Sequence, residues 1–321
     1  MKRVALCLAL LACVVASAAS AQTWPARTIT IIVPYPAGGG VDAMARLIAE
    51  KFSAVLGQQV VVDNRGGGGG NIGTRAVAKS PPDGYTLILG HSGSMAINPH
   101  LYTNAGYDPA KDFSGIGLIA SMPVAIIVHP SYPAKTVAEL IAFAKAQPGK
   151  LNVGTSAIGT GGYLTAELFK ATVGIDMQIV PYKGTAPLMN DLIGGHVPVA
   201  FGVLPPALSN IDAGNLRALA VTGSSRFSLL PNVPTVAESG VPGFDAVLHY
   251  GLAAPKGTPQ EIIDRLNAEL RKIVAGDDVR QRITAEGGDP LMSSPVEYDA
   301  DIACEGAKWA ELIKKINLKV E

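Results

Sequence analysis

The chain has 321 residues, 26 Lys plus Arg against 26 Asp plus Glu, and 48% hydrophobic with 16% charged residues. Zero formal net charge and a pI near 7.0 exclude the basic field that holds a nucleic-acid backbone, and the acidic bulk of a solvating tail. Low charge with high apolar content excludes disorder and supports a core of about two domains, at roughly 100 to 200 residues each.

The N-terminus reads first as a targeting segment. Lys2 and Arg3 precede an apolar run at 4–15, and Ala19-Ser20-Ala21 offers a cleavage site before Gln22, so a secretory signal peptide cleaved after Ala21 is expected. The run is too short for a membrane span, which needs about 20 apolar residues. A lipoprotein reading would use Cys13, but the Ala/Ser-rich stretch after it looks like the end of a signal. Cleavage would remove Cys7 and Cys13 and leave Cys304 alone, with no intrachain disulfide to close. It would also remove Lys2 and Arg3, leaving 24 cations against 26 anions.

Beyond residue 21, short Val/Ile-rich runs alternate with segments of helical period, the pattern of βαβ units around a largely parallel sheet. Strands are expected at 28–33, 59–62, 85–89, 124–129, 151–154, 177–181, 198–203, 216–221 and 247–253. Val41, Met44, Ala45, Ile48, Phe52 and Val55 recur at spacings of three and four, which predicts a helix with one apolar face, stopped by Gly57. Thr136 to Glu139, Thr258-Pro259-Gln260-Glu261 and Ser294-Pro295-Val296-Glu297 match the capping box, the last two with Pro at the first helical position. Helices dominate the last seventy residues and are expected to wrap back on the sheet. No charge run, low-complexity linker or repeat divides the chain, so it is expected to cross between lobes as extended strands near 121–128 and 247–253.

The 36 glycines exceed the roughly 7% of average usage. Many sit in three strand-to-helix turns, at 34–42, 64–73 and 154–162. Glycine lets backbone N–H groups approach a ligand, and a helix start supplies free donors with a partial positive charge, which together bind an anion without a cation. Each turn taken singly also fits a merely structural role; three in one chain favour binding. Gly68-x-Gly70-x-x-Gly73 matches the dinucleotide fingerprint only formally, because five consecutive glycines satisfy many patterns.

Gly90-His91-Ser92-Gly93-Ser94 comes close to the G-x-S-x-G nucleophile elbow, with Ser94 in place of the last glycine. An exported α/β hydrolase using Ser92, with His249 as base, is therefore the alternative function; otherwise His91 and Ser92 line a pocket. The five histidines lack H-x-x-x-H spacing and Cys304 has no cysteine partner, so no metal site is expected.

Ordered motifs along the chain resemble one family. Trp24-Pro25, Ile31-Ile32-Val33-Pro34-Tyr35-Pro36-Ala37-Gly38-Gly39 with Asp42, Val61-Val62-Asp63-Asn64-Arg65, Gly69-Gly70-Asn71-Ile72-Gly73, Asp83-Gly84-Tyr85-Thr86-Leu87, Val180-Pro181-Tyr182-Lys183-Gly184 and Pro231-Asn232-Val233-Pro234-Thr235 are similar to the Bug family. These are periplasmic solute-binding receptors of tripartite tricarboxylate transporters.

The resemblance implies an α/β, type II periplasmic binding protein fold, with a ligand cleft between two α/β lobes. Lobe 1 would comprise residues 22–123 with 247–321 and lobe 2 residues 124–246. It also implies a monomeric receptor that is not an enzyme, takes no cofactor and presents a small carboxylate to the integral-membrane subunits of the transporter. A di- or tricarboxylate, an amino acid or an aromatic acid would each fit. By position, the ligand falls to backbone amides of Tyr35, Ala37, Gly38 and Gly39, with Asp42 capping that loop, and to Thr155, Ser156, Gly159, Thr160, Gly161 and Gly162 in the second lobe. Tyr182 would add a wall beside Lys183. Two departures bear on selectivity: Tyr163 stands where the family often has His, and Tyr250 where Trp is frequent. Gly38→Val and Gly161→Val are both expected to remove binding and leave the apo melting temperature nearly intact.

Overall fold

The computed structural model describes residues 24–156, 158 and 160–320. The predicted signal segment with its cleavage site, Cys13 and Gly159 lie outside the described residues.

The chain opens with β1 (Ile29–Val33), whose five residues are nearly all buried, and passes through a glycine turn into α1 (Gly40–Leu56). Gly57 ends α1 with φ +69°, a conformation that favours glycine. Met44, Ala45, Ile48 and Phe52 face the core as the spacing predicts, but Val55 is 48% exposed and Leu56 takes the buried place. β2 (Val60–Asn64) and β3 (Thr86–His91) pair in parallel on either side of β1, with α2 (Asn71–Ala78) between them. Two single-turn helices follow, α3 (Asn98–Leu101) and α4 (Pro109–Asp112).

β4 (Phe113–Val128) is sixteen residues long, starting well before the expected 124–129. Gly115, Gly117 and Pro123 hide its first part from propensity, yet two of them are there for contact. A Cβ at Gly115 would meet Asp299 Oδ1 at 2.7 Å, and one at Gly117 would meet Asn267 Nδ2 at 2.9 Å. Then come α5 (Val137–Ala146), β5 (Asn152–Thr155), α6 (Gly161–Val173), β6 (Gln178–Pro181), α7 (Thr185–Ile193), β7 (Val199–Val203), α8 (Pro205–Asp212) and β8 (Arg217–Val221). The chain returns through β9 (Val247–Pro255), α9 (Gln260–Ala275), α10 (Asp277–Ala285), the two-residue β10 (Asp289–Pro290) and α11 (Pro295–Lys315).

The strands run in the order β2-β1-β3-β9-β4-β7-β5-β6, with β8 and β10 also on β4. The sheet is mixed rather than largely parallel: β9 is antiparallel to β3 and β4, and β4 is antiparallel to β7 and β8. β4 changes partners abruptly. Phe113 to Pro123 pairs with β9, whereas Val124 to Val128 pairs with β7 and β8. The C-terminal helices pack on the sheet as expected, and buried Trp309 of α11 joins the cluster containing Val124, Phe169 and Phe201.

The capping motifs resolve individually. Thr136 accepts from Glu139 N–H at 3.1 Å, and Ser294 with Glu297 forms the full reciprocal box. The Thr258 box does not form. Its hydroxyl donates to the Pro255 carbonyl at 2.8 Å, Pro259 takes the N-cap place, and α9 begins one residue later.

Candidate functional site

β1 ends at Val33, and the next residues lead Tyr35 to Gly39 into α1. Gly38 adopts φ +87° and Gly39 caps α1 without any side-chain hydrogen bond. Asp42, buried in the first turn, reaches back and accepts the Gly38 N–H at 2.9 Å. Its carboxylate also takes Arg46 Nε at 3.0 Å, Arg46 Nη2 reaches Asn64 Oδ1, and Asn64 Nδ2 donates to the Tyr35 carbonyl. Burial opposes the charge on Asp42, but Arg46, the Gly38 amide and Asn64 together hold it below the usual carboxylate range. The loop is thus pinned from within. Gly38 N–H is consumed, while the first-turn amides of Gly40 and Val41 have no intrahelical acceptor. Ala37, Gly38 and Gly39 are exposed.

Beside this turn stands an aromatic stack. The His91 ring lies 4.6 Å from that of Tyr35 at 9°, and 5.6 Å from that of Tyr250 at 25°. The Tyr250 contact follows from register, since His91 and Tyr250 are directly paired between β3 and β9. Burial raises the phenol pKa of both tyrosines, and it pushes His91 down to about 4. His91 Nδ1 accepts the Gly93 N–H at 2.8 Å.

The second glycine turn is structural. A Cβ at Gly73 would meet the Arg65 carbonyl at 2.6 Å, and one at Gly70 would meet the Tyr35 ring at 3.1 Å. Buried Asn98 donates to the Gly69 carbonyl and to Asn71 Oδ1, and the Tyr107 hydroxyl donates to the Ser94 carbonyl at 2.6 Å. This buried network ties the second glycine turn to the segment after β3, through contacts that no short stretch of the sequence contains.

In the third turn, Thr155 donates to the Ser156 carbonyl, the Ser156 and Thr160 hydroxyls lie 2.9 Å apart, and Thr160 is the N-cap of α6. Gly161 and Gly162 are buried. A Cβ at Gly161 would meet Leu248 Cδ1 at 2.7 Å, and one at Gly162 would meet the Phe201 carbonyl at 2.6 Å. This packing argues against the expectation that Gly161→Val spares the melting temperature, since these glycines let α6 seat against β7 and β9. Tyr163 is half-buried, with its pKa raised to about 12 by burial and by Glu167. Tyr182 N–H donates to the Thr155 carbonyl at 2.9 Å, and its hydroxyl is taken by Asp191 at 2.8 Å.

These placements bring two helix starts onto one strand. A Cβ at Gly40 of α1 would lie 3.6 Å from the Tyr250 hydroxyl, while Gly161 of α6 abuts Leu248. Residues 248 and 250 share a face of β9, their Cα atoms about 7 Å apart. On the opposite face, His249 Nδ1 is 2.8 Å from Asp301 Oδ1 of α11.

The arrangement removes the hydrolase reading. Ser92 is 4% exposed, and its hydroxyl accepts the backbone N–H of His249 at 2.9 Å, while the His249 imidazole faces Asp301. The segment after it, Gly93–Ile97, is a π-type turn rather than the helix a nucleophile elbow requires. Among the described residues no group of three His, Cys, Asp or Glu side chains is placed to hold a metal ion, and no helix is long and apolar enough to cross a membrane.

Comparison with known proteins gives a consistent result. A profile described as "Tripartite tricarboxylate transporter family receptor" matches residues 44–318. Protein BugT of Bordetella pertussis is 38% identical over 308 residues, covering 96% of this chain and 94% of BugT. Among solved structures, R. palustris Rpa4515 with adipate superposes with a TM-score of 0.81 at 40% identity, covering 92% of this chain and 99% of that one. MatC from Rhodopseudomonas palustris with bound malate superposes with a TM-score of 0.77 at 32% identity, covering 90% and 100%.

Proposed function

The chain belongs to the tripartite tricarboxylate transporter receptor family, and from that premise we propose that it captures a small carboxylate between two lobes and hands it to the membrane subunits of a transporter. Residues 24–123 with 247–320 form one lobe and 124–246 the other, joined where β4 changes partners and where the chain enters β9. The signal segment directs export to the periplasm and is removed after Ala21. The receptor acts as a monomer, without cofactor and without bond chemistry.

The observation that carries the reading is the meeting of the α1 and α6 N-termini on one face of β9, at Tyr250 and Leu248. The first-turn amides of each start have no intrahelical acceptor, and Arg46, beside the α1 turn, is paired with Asp42. Hydrogen bonds to a charged group contribute about 1.5 to 3 kcal/mol each, so four amides gross roughly 6 to 12 kcal/mol. Micromolar affinity needs about 8 kcal/mol. Backbone donors therefore suffice, with the ring walls contributing the remainder. Because the two starts belong to different lobes, a ligand that uses both favours closure. The adipate and malate held by the two solved relatives are linear dicarboxylates and set the first probes.

The test is mass spectrometry of small molecules released from the purified protein, followed by calorimetric titration of unfolded, dialysed and refolded protein with malate, adipate, citrate and benzoate. Binding of at least one acid is expected. No heat with any of the four, and no acid released, would overturn the reading.

A further inference from the structure

His91 stacks on Tyr250, whose hydroxyl lies beside Gly40 at the start of α1, and three contacts fix its state. Tyr35 and Tyr250 both stack on the ring. The third contact decides the tautomer: Nδ1 accepts from Gly93 N–H at 2.8 Å, so the proton sits on Nε2. Protonating Nδ1 would set two N–H donors against each other at that distance. Gly93 cannot easily retreat, because it opens the Gly93–Ile97 turn, which Tyr107 holds at the Ser94 carbonyl and which Ser92 ties to β9. A Cβ at position 93 would lie 2.4 Å from His91 Cε1, so the fit of ring to turn depends on glycine.

The surroundings add no charge. Among the described residues the titratable groups packed against the ring are the phenols of Tyr35 and Tyr250, both neutral, and burial alone lowers the His91 pKa to about 4. Among the described residues no carboxylate acts on it to stabilise an imidazolium. The Nε2 edge has no acceptor among the described residues.

We propose that His91 is a selectivity residue, a locked and uncharged N–H donor that bonds one oxygen of the captured carboxylate. The proposal rests on the carboxylate reading above. A donor of this kind adds direction without countercharge, so the site recognises the acceptor's position while capture stays independent of histidine titration. A charged histidine in the same place would bind anions more tightly as pH fell, and would do so with less regard to geometry.

Two measurements test it on the full chain without its signal segment. Long-range 1H–15N spectra of the imidazoles, with His91 assigned by its loss in His91→Gln, are expected to show the Nε2–H tautomer, uncharged at pH 5.5. An Nδ1–H tautomer, or a titration midpoint above pH 6, would overturn the proposal. Calorimetry with malate, adipate, citrate and benzoate then reads the contact. The best binder should change affinity less than about threefold between pH 5.5 and 8, lose about 10- to 100-fold in His91→Phe, and regain part of that in His91→Gln, which keeps a neutral donor. Wild-type affinity in His91→Phe would overturn this proposal alone; should that variant not fold, a wild-type affinity that rises tenfold or more between pH 8 and pH 5.5, or the spectra, decides instead. Failure of all four acids on the wild-type protein would sink the carboxylate reading and this inference with it.

Discussion

The backbone N–H of His249 donates to the hydroxyl of Ser92 at 2.9 Å, fastening β9 to the turn that follows β3. A serine that resembles a nucleophile in the sequence is thus a buried strand tie. Ser92→Ala leaves the His249 N–H without its acceptor and should cost about 1 to 3 kcal/mol of stability. Urea denaturation reads this directly, and an unchanged midpoint would show that the tie is replaced.

Thr222 is a second tie, at the point where both crossing segments pass. Its buried hydroxyl donates to the Ala246 carbonyl at 2.6 Å and accepts from Val124 N–H at 3.0 Å. Thr222→Val keeps the shape and removes both bonds, so a loss of about 1 to 3 kcal/mol is expected. Small-angle scattering of the apo protein should also report a broader range of openings. An unaltered scattering curve with reduced stability would confine Thr222 to a packing role.

The glycines of the two turns should separate by experiment. Gly161→Val drives side-chain atoms into Leu248, so destabilisation toward the upper end of about 1 to 3 kcal/mol is expected, with binding lost as a secondary effect. Gly38 has open space around it and only its left-handed φ to protect, so Gly38→Val costs about 1 to 2 kcal/mol. Its larger effect should fall on carboxylate affinity. Thermal melts and calorimetry on the same samples distinguish the two.

The His249 to Asp301 pair predicts a pH dependence of stability. Burial would lower the His249 pKa, but Asp301, helped by Glu305, carries it above its ordinary 6.5 despite the opposing Lys308. A raised folded-state value means that the contribution is fully present below the unfolded pKa and fades as pH rises through the folded one. Denaturation midpoints of the wild type should therefore fall between pH 6 and pH 9 more than those of Asp301→Asn. Parallel curves for the two proteins would show that the pair contributes nothing.

The sequence showed some of this plainly and some not at all. The α1 turn was legible because its signals are local: a β-branched run, a proline, three glycines and a helical period follow one another within about thirty residues. The His91 and Tyr250 contact was not, because it arises from the β3 to β9 register, which no short window contains. The first eleven residues of β4 were hidden for a related reason. Gly115 and Gly117 weaken strand propensity but are required by α11 and α9 packing behind them. Thr258 carried the right cap spacing and still failed, since α9 begins one residue later with Pro259 at the N-cap, and the Thr258 hydroxyl turns back to donate to the Pro255 carbonyl.

The partner switch in β4 also sets how the molecule must come apart. Val124 to Val128 sits between β7 on one side and β8 on the other, yet it is covalently continuous with the stretch that pairs with β9. Neither part of the sheet owns its central strand. Melting the β9 side frees the root of the strand that organises β7 and β8, and loosening the latter pair unmoors β4 from its far end. Two hydrophobic clusters are thereby bound into one cooperative unit, and the inserted segment between β4 and β9 is not a module that could be cut out and expected to fold alone.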